Sequence, residues 1–121
     1  MKPRIAALLL TALALLAACG KEAPPELAGT VWTLDNEHDA NYYGAHVVYT
    51  MAFGQQDDVS FDRSIDGSAI AMHGTYSYAD GKGQCTLRSD GDATDYPMTF
   101  SVSGSALDLR YASHSITLAR Q

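Results

Sequence analysis

The chain has 121 residues, 14 Asp and Glu against 8 Lys and Arg, and a net charge of −6. That acidic balance repels phosphate backbones and anionic headgroups, which argues against nucleic acid as a partner and against a basic patch as the means of membrane attachment. Two cysteines are too few for a disulfide framework, and the length suits a single domain.

At the N-terminus, Lys2 and Arg4 precede an apolar stretch at 5–16 that only Thr11 interrupts. The stretch is shorter than the roughly 20 residues a membrane-spanning helix needs. Its length and flanking charge are those of a secretory leader. The motif that follows, Leu16-Ala17-Ala18-Cys19, resembles the lipobox of bacterial lipoproteins. The resemblance implies that a signal peptide, 1–18, is cut before Cys19, that the Cys19 sulfur is diacylated, and that the new amine is then acylated. Two or three acyl chains anchor stably where one is marginal. Gly20 rather than Asp follows the cysteine, which in that family implies the outer membrane and leaves its face open. The expected localisation is the cell envelope, with the membrane reached through lipid. Removing Lys2 and Arg4 with the leader takes the net charge from −6 to −8.

Residues 19–28 form a lipidated tether whose Pro24 and Pro25 disfavour a helix. From 29 to 121 the pattern has period two. Val47, Tyr49, Met51 and Phe53 fall on one face of their segment, with His46, Val48 and Thr50 on the other. Ile70, Met72, Gly74, Tyr76 and Tyr78 repeat the alternation, as do Tyr96, Met98, Phe100 and Val102, then Leu107, Leu109 and Tyr111, then Ile116 and Leu118. Strict alternation marks half-buried antiparallel strands. A short helical turn is expected around 37–43. Gly, Asp and Ser clusters at 55–58, 64–68, 80–83, 89–93, 103–105 and 112–114 separate the runs and favour tight turns.

Eight strands follow, at about 30–35, 45–54, 58–62, 69–79, 83–88, 94–103, 106–111 and 114–120. Short loops put neighbours in sequence side by side, and closing the sheet hides both edges. The expected fold is all-β, an antiparallel eight-stranded up-and-down barrel. Pro97 suits an edge, a bulge or the lip of that barrel.

The opening Leu27-Ala28-Gly29-Thr30-Val31-Trp32 resembles the first strand of small bacterial lipocalin-like domains and of META-type envelope domains. Gly74-Thr75-Tyr76 with the Asp80-Gly81 turn, and the closing segment from Ser103 to Leu109 with Ile116-Thr117-Leu118, are similar to the lipocalin-like pattern. The G-C-N segment of META domains is missing, so the lipocalin-like resemblance is the better one. It implies a barrel with a small apolar ligand and no catalytic residues.

The chain offers little chemistry. His38, His46, His73 and His114 are scattered, with no H-E-x-x-H motif, so no metal and no cofactor are expected. Asp90, Asp92 and Asp95 crowd one turn without the glycine and glutamate spacing of an EF-hand. No G-x-S-x-G elbow is present, and an enzyme is not expected. Cys85 reads as a small buried apolar side chain. The candidate lumen residues are Tyr49, Met51, Met72, Tyr76, Tyr78, Tyr96, Met98 and Phe100, a Tyr and Met lining that suits a small, mostly apolar molecule in a shallow barrel. The alternative is a protein-interaction module of the envelope, an inhibitor or an assembly subunit, contacting a partner through Asn41-Tyr42-Tyr43-Gly44.

Overall fold

The structure is a computed structural model and describes residues 26–121. The leader, Cys19 and the tether as far as Pro25 lie outside the described residues. The strands are β1 (Val31–Asp39), β2 (Ala45–Phe53), β3 (Asp58–Ile65), β4 (Ser68–Ala79), β5 (Lys82–Ser89), β6 (Tyr96–Ser103), β7 (Ala106–Tyr111) and β8 (His114–Arg120). All pair antiparallel with their neighbours in sequence, and β8 returns to β1, so the sheet closes as an eight-stranded up-and-down barrel.

The alternation sets which side chains turn inward. Val47, Tyr49, Met51 and Phe53 of β2 are buried, as are Val59 and Phe61 of β3, Cys85 and Leu87 of β5, and Leu107 and Leu109 of β7. His46 and His73, of opposite parity, are exposed. Two hairpins turn on Asp-Gly pairs, Asp66 and Gly67 at φ 49° and 87°, and Asp80 and Gly81 at φ 53° and 79°. Positive φ at both central residues is the two-residue turn whose twist matches that of the strands.

Three strand boundaries differ from the expected ones by two residues or more. β3 extends to Ile65 rather than ending at 62, because Asp66 and Gly67 alone make the turn and Ile65 can pair with Ser68. β1 runs on to Asp39 through a bulge beyond Asn36, and the helical turn shrinks to one 3₁₀ turn at Ala40–Tyr42. Asp39 caps that turn through its side chain, which accepts from the Asn41 backbone N–H at 2.9 Å. β6 begins at Tyr96, not 94, because the Asp92 carboxylate holds the Thr94 N–H in the preceding loop at 2.9 Å. Pro97 sits exposed near the start of β6, and the ladder to β7 begins only at Thr99, so its missing N–H interrupts no bond to β7.

The barrel is closed at the end where the described chain enters. Leu27 is fully buried there. The Thr30 hydroxyl donates to the Leu27 carbonyl at 2.7 Å and accepts from Trp32 Nε1 at 2.9 Å, tying the plug to the wall. Phe53 packs against Tyr76 and Phe100 with ring centroids 4.8 and 5.4 Å apart. Tyr78 and Phe100 stack within 3° of parallel across Gly83, where a Cβ would run into the Phe100 ring. All eight strands, their closure and this core lie within 27–120, so a chain starting at Gly20 keeps the whole barrel.

Candidate ligand-binding mouth

The opposite end is built from strands of unequal reach. β3 and β4 stay paired out to Ile65 and Ser68, whereas the β7–β8 ladder stops at Tyr111 and His114. β1 and β8 pair only at Trp32–Arg120 and Thr33–Ala119, near the closed end. The wall therefore loosens on one side, and a cavity of about 510 Å³ opens inward. Arg63, Ile70 and Met72 line it from β3 and β4, and Tyr96, Pro97 and Met98 from β6. Tyr111, Ala112 and His114 line it from the β7–β8 hairpin, with Tyr42 and Ser89 completing the ring.

Behind this lining, the Tyr49 hydroxyl donates to Asp39 Oδ2 at 2.5 Å, and Asp39 is only 2 % exposed. Burial, and then the Asp39 carboxylate, push the Tyr49 ionisation far above its ordinary range. Because Asp39 also caps the turn that carries Tyr42, one buried carboxylate fixes both the back of the cavity and its flank. Burial likewise raises the Tyr111 ionisation, with Tyr42 adding to it and Arg63 opposing it. The Arg63 guanidinium lies over the Tyr42 ring, 5.3 Å from its centroid. Arg63 Nε is buried without a hydrogen-bond partner, and among the described residues Arg63 forms no salt bridge.

The rim is apolar and exposed. Tyr43 stands wholly in solvent at φ 58°, a conformation that a bulky side chain seldom adopts. Ile70 and Tyr96 are 43 % and 39 % exposed on the neighbouring hairpins. Ala112, at φ 52°, is a further strained position on the cavity edge. A separate groove of about 540 Å³ runs over the outer faces of β4 to β6 and shares Pro97, Met98, Tyr111 and Ala112 with the cavity. Its remaining walls are mostly outward polar side chains such as Thr75, Gln84 and Thr99, so the inward cavity is the better candidate for a ligand site.

The eight residues expected at the lumen divide into three groups. Met72, Tyr96 and Met98 line the cavity. Tyr49 is buried behind it, bonded to Asp39. Met51, Tyr76, Tyr78 and Phe100 pack into the core, the last three toward the closed end, and so do not face the cavity. The reason is strand position: parity turns all eight inward, but height along the barrel decides which meet the opening. Arg63, Tyr42, Ile70 and Tyr111 were not among the expected lumen residues. The available signal for Arg63 was the alternation Val59, Phe61, Arg63, Ile65, which requires β3 to continue past 62.

Asp92 and Asp95, in the acidic turn, have structural partners. Asp92 accepts from the Thr94 N–H and the Tyr96 hydroxyl, and Asp95 pairs with Arg88 at 2.5 Å. These bonds hold both carboxyls below their usual range, chiefly through Thr94 for Asp92 and Arg88 for Asp95. Among the described residues no group of three or more His, Cys, Asp or Glu side chains converges as metal ligands. Cys85 is buried, and burial pushes its thiol up to about 12. No protein-family model, curated protein or solved structure gives a significant match to this chain.

Proposed function

We infer that the protein is a lipid-anchored lipoprotein of the cell envelope that binds a small, mostly apolar ligand in the mouth of its barrel. The observation that carries the reading is the cavity of about 510 Å³, lined by Ile70, Met72, Met98 and three tyrosines. Met adapts its shape and Tyr pairs an apolar body with a polar tip, so such a lining takes an apolar molecule and orients it by a few hydrogen bonds. The anchor rests on Leu16-Ala17-Ala18-Cys19, and the outer membrane on Gly20. The described chain enters at the closed end, so an anchor at Cys19 leaves the mouth at the far end of the barrel from the tether's attachment.

Mass spectrometry on the full chain from its own envelope tests both halves. Under denaturing conditions the mass should be that of a chain beginning at Cys19 plus two or three acyl groups. Under native conditions a further few hundred daltons should appear. A chain that retains residues 1–18, or one that carries no acyl mass, would contradict the anchor.

A second reading, docking of an envelope protein on the rim, is favoured by one observation. Tyr43 in the β1–β2 connection, Ile70 near the start of β4 and Tyr96 at the start of β6 leave apolar surface exposed around the mouth. A co-purifying polypeptide that Tyr43→Ser releases would favour this reading over a small ligand.

A further inference from the structure

We propose that the ligand is an amphiphile with a single anionic head, a carboxylate above all, and that Arg63 is the group that receives it. The inference rests on the ligand-binding reading and goes further by naming the chemical class.

Charge at the mouth runs against the charge of the chain. The protein carries 14 acidic residues and a net charge of −6, yet the cavity lining contains one permanent cation, Arg63, and no Asp or Glu, and the carboxylates behind it, Asp39 and Asp92, are already bonded to Tyr49 and Tyr96. The other arginines among the described residues are occupied or lie elsewhere. Arg88 pairs with Asp95, Arg110 with Asp108, and Arg120 covers Trp32 at the closed end. Arg63 lies over the Tyr42 ring but pairs with no carboxylate among the described residues, and its Nε is buried with nothing to donate to. A buried donor without an acceptor costs free energy, more when the group is charged, and native structures rarely leave one so.

The surroundings match a carboxylate better than a bare ion. A guanidinium presents its N–H groups as a planar fork, and a carboxylate can accept two of them in parallel. The guanidinium lies over the Tyr42 ring, 5.3 Å from its centroid. Tyr111, whose ionisation Arg63 perturbs, supplies a hydroxyl next to it. Beside Arg63 its cross-strand neighbour Ile70, with Met72 next along β4 and Met98 on β6, offers apolar surface for a chain. A head on Arg63 and a tail on these side chains would use both parts of the lining at once. His114 stands against Tyr111, with ring centroids 5.4 Å apart, and bounds the same space.

Titration calorimetry on a chain starting at Gly20 tests the assignment, with decanoate, decan-1-ol and acetate as probes. Decanoate should bind roughly tenfold or more tighter than decanol, the margin expected when a carboxylate rather than a neutral hydroxyl accepts from the guanidinium. Acetate, having no tail, should bind far more weakly than either. Arg63→Gln should remove most of the margin between decanoate and decanol, whereas Arg63→Lys should keep part of it. Equal binding of decanoate and decanol by the native chain would overturn the proposal while leaving the ligand-binding reading intact. That comparison needs no variant, so a misfolded Arg63→Gln cannot obscure it. Acetate binding as tightly as decanoate would mark a bare anion site and also overturn the proposal. Failure of all three to bind would remove the proposal together with the reading beneath it.

Discussion

Tyr49 shows at the scale of one residue how a polar group survives in an apolar barrel. Its ring stacks with Phe61 at 6.2 Å, and its hydroxyl spends itself on Asp39 at 2.5 Å. The bond is charge-assisted, and the carboxylate it serves is almost wholly out of water. Tyr49→Phe should therefore cost about 1–3 kcal/mol in denaturant unfolding, because it leaves Asp39 Oδ2 buried without its donor. A variant as stable as the native protein would show that water replaces the hydroxyl freely. Alternation made the inward direction of Tyr49 legible. Its partner was not legible, because Asp39 lies across the β1–β2 connection, in a stretch where polar residues suggested only a loop or a helical turn.

Turn chemistry governs at the scale of the element. The Asp66-Gly67 pair ends β3 and starts β4 with two residues, and that compactness carries Arg63 and Ile65 into the ladder. Composition ends the strand at 62 and begins the turn cluster at Ser64, and the tertiary pairing overrides that composition. The decisive cavity residue was lost with it. Eight strands in the right order were nonetheless readable, since each long apolar alternation, such as Val47 to Phe53, survives an error of two or three residues at its ends. Gly83 tests the packing between elements. Its missing side chain lets Tyr78 and Phe100 stack across β5, so Gly83→Ala should destabilise by about 1–3 kcal/mol through overpacking. Thermal unfolding checks this, and an unchanged midpoint would mean that the Phe100 ring moves aside at no cost.

The molecule as a whole is a barrel filled at one end and hollow at the other. Whether its lumen was open could not be read from composition, because Tyr and Met serve equally as filling and as lining. What decides is the unequal reach of the strands, with β3 and β4 long and the β7–β8 hairpin short, and that emerges only from the registers. Burial also gives the whole fold a characteristic response to pH. The Cys85 thiol is pushed from an ordinary 9.0 up to about 12, and Tyr49, Tyr76 and Tyr111 are raised from 10.0. Between the unfolded and folded values the unfolded chain has lost the proton that the folded chain retains. The contribution of each group is thus complete below its unfolded value and is lost as pH rises through its folded one. Stability should decline from about pH 9 upward, more steeply once the tyrosines join, by up to roughly 1.4 kcal/mol per pH unit for each such group. Native Cys85 should also resist thiol reagents at pH 8 and react on unfolding. A flat stability between pH 8 and 11, or rapid labelling of the native protein, would show that the interior admits water.

The central claim is that the mouth at Arg63, Met72 and Met98 receives a ligand. Binding of an environment-sensitive apolar fluorophore to a chain starting at Gly20, compared with Met98→Trp, tests it most directly. The larger side chain should fill the cavity, so the native chain should bind the dye saturably and one to one, and the variant should lose that binding while still unfolding cooperatively. Equal binding by both chains, or none by the native one, would contradict the account.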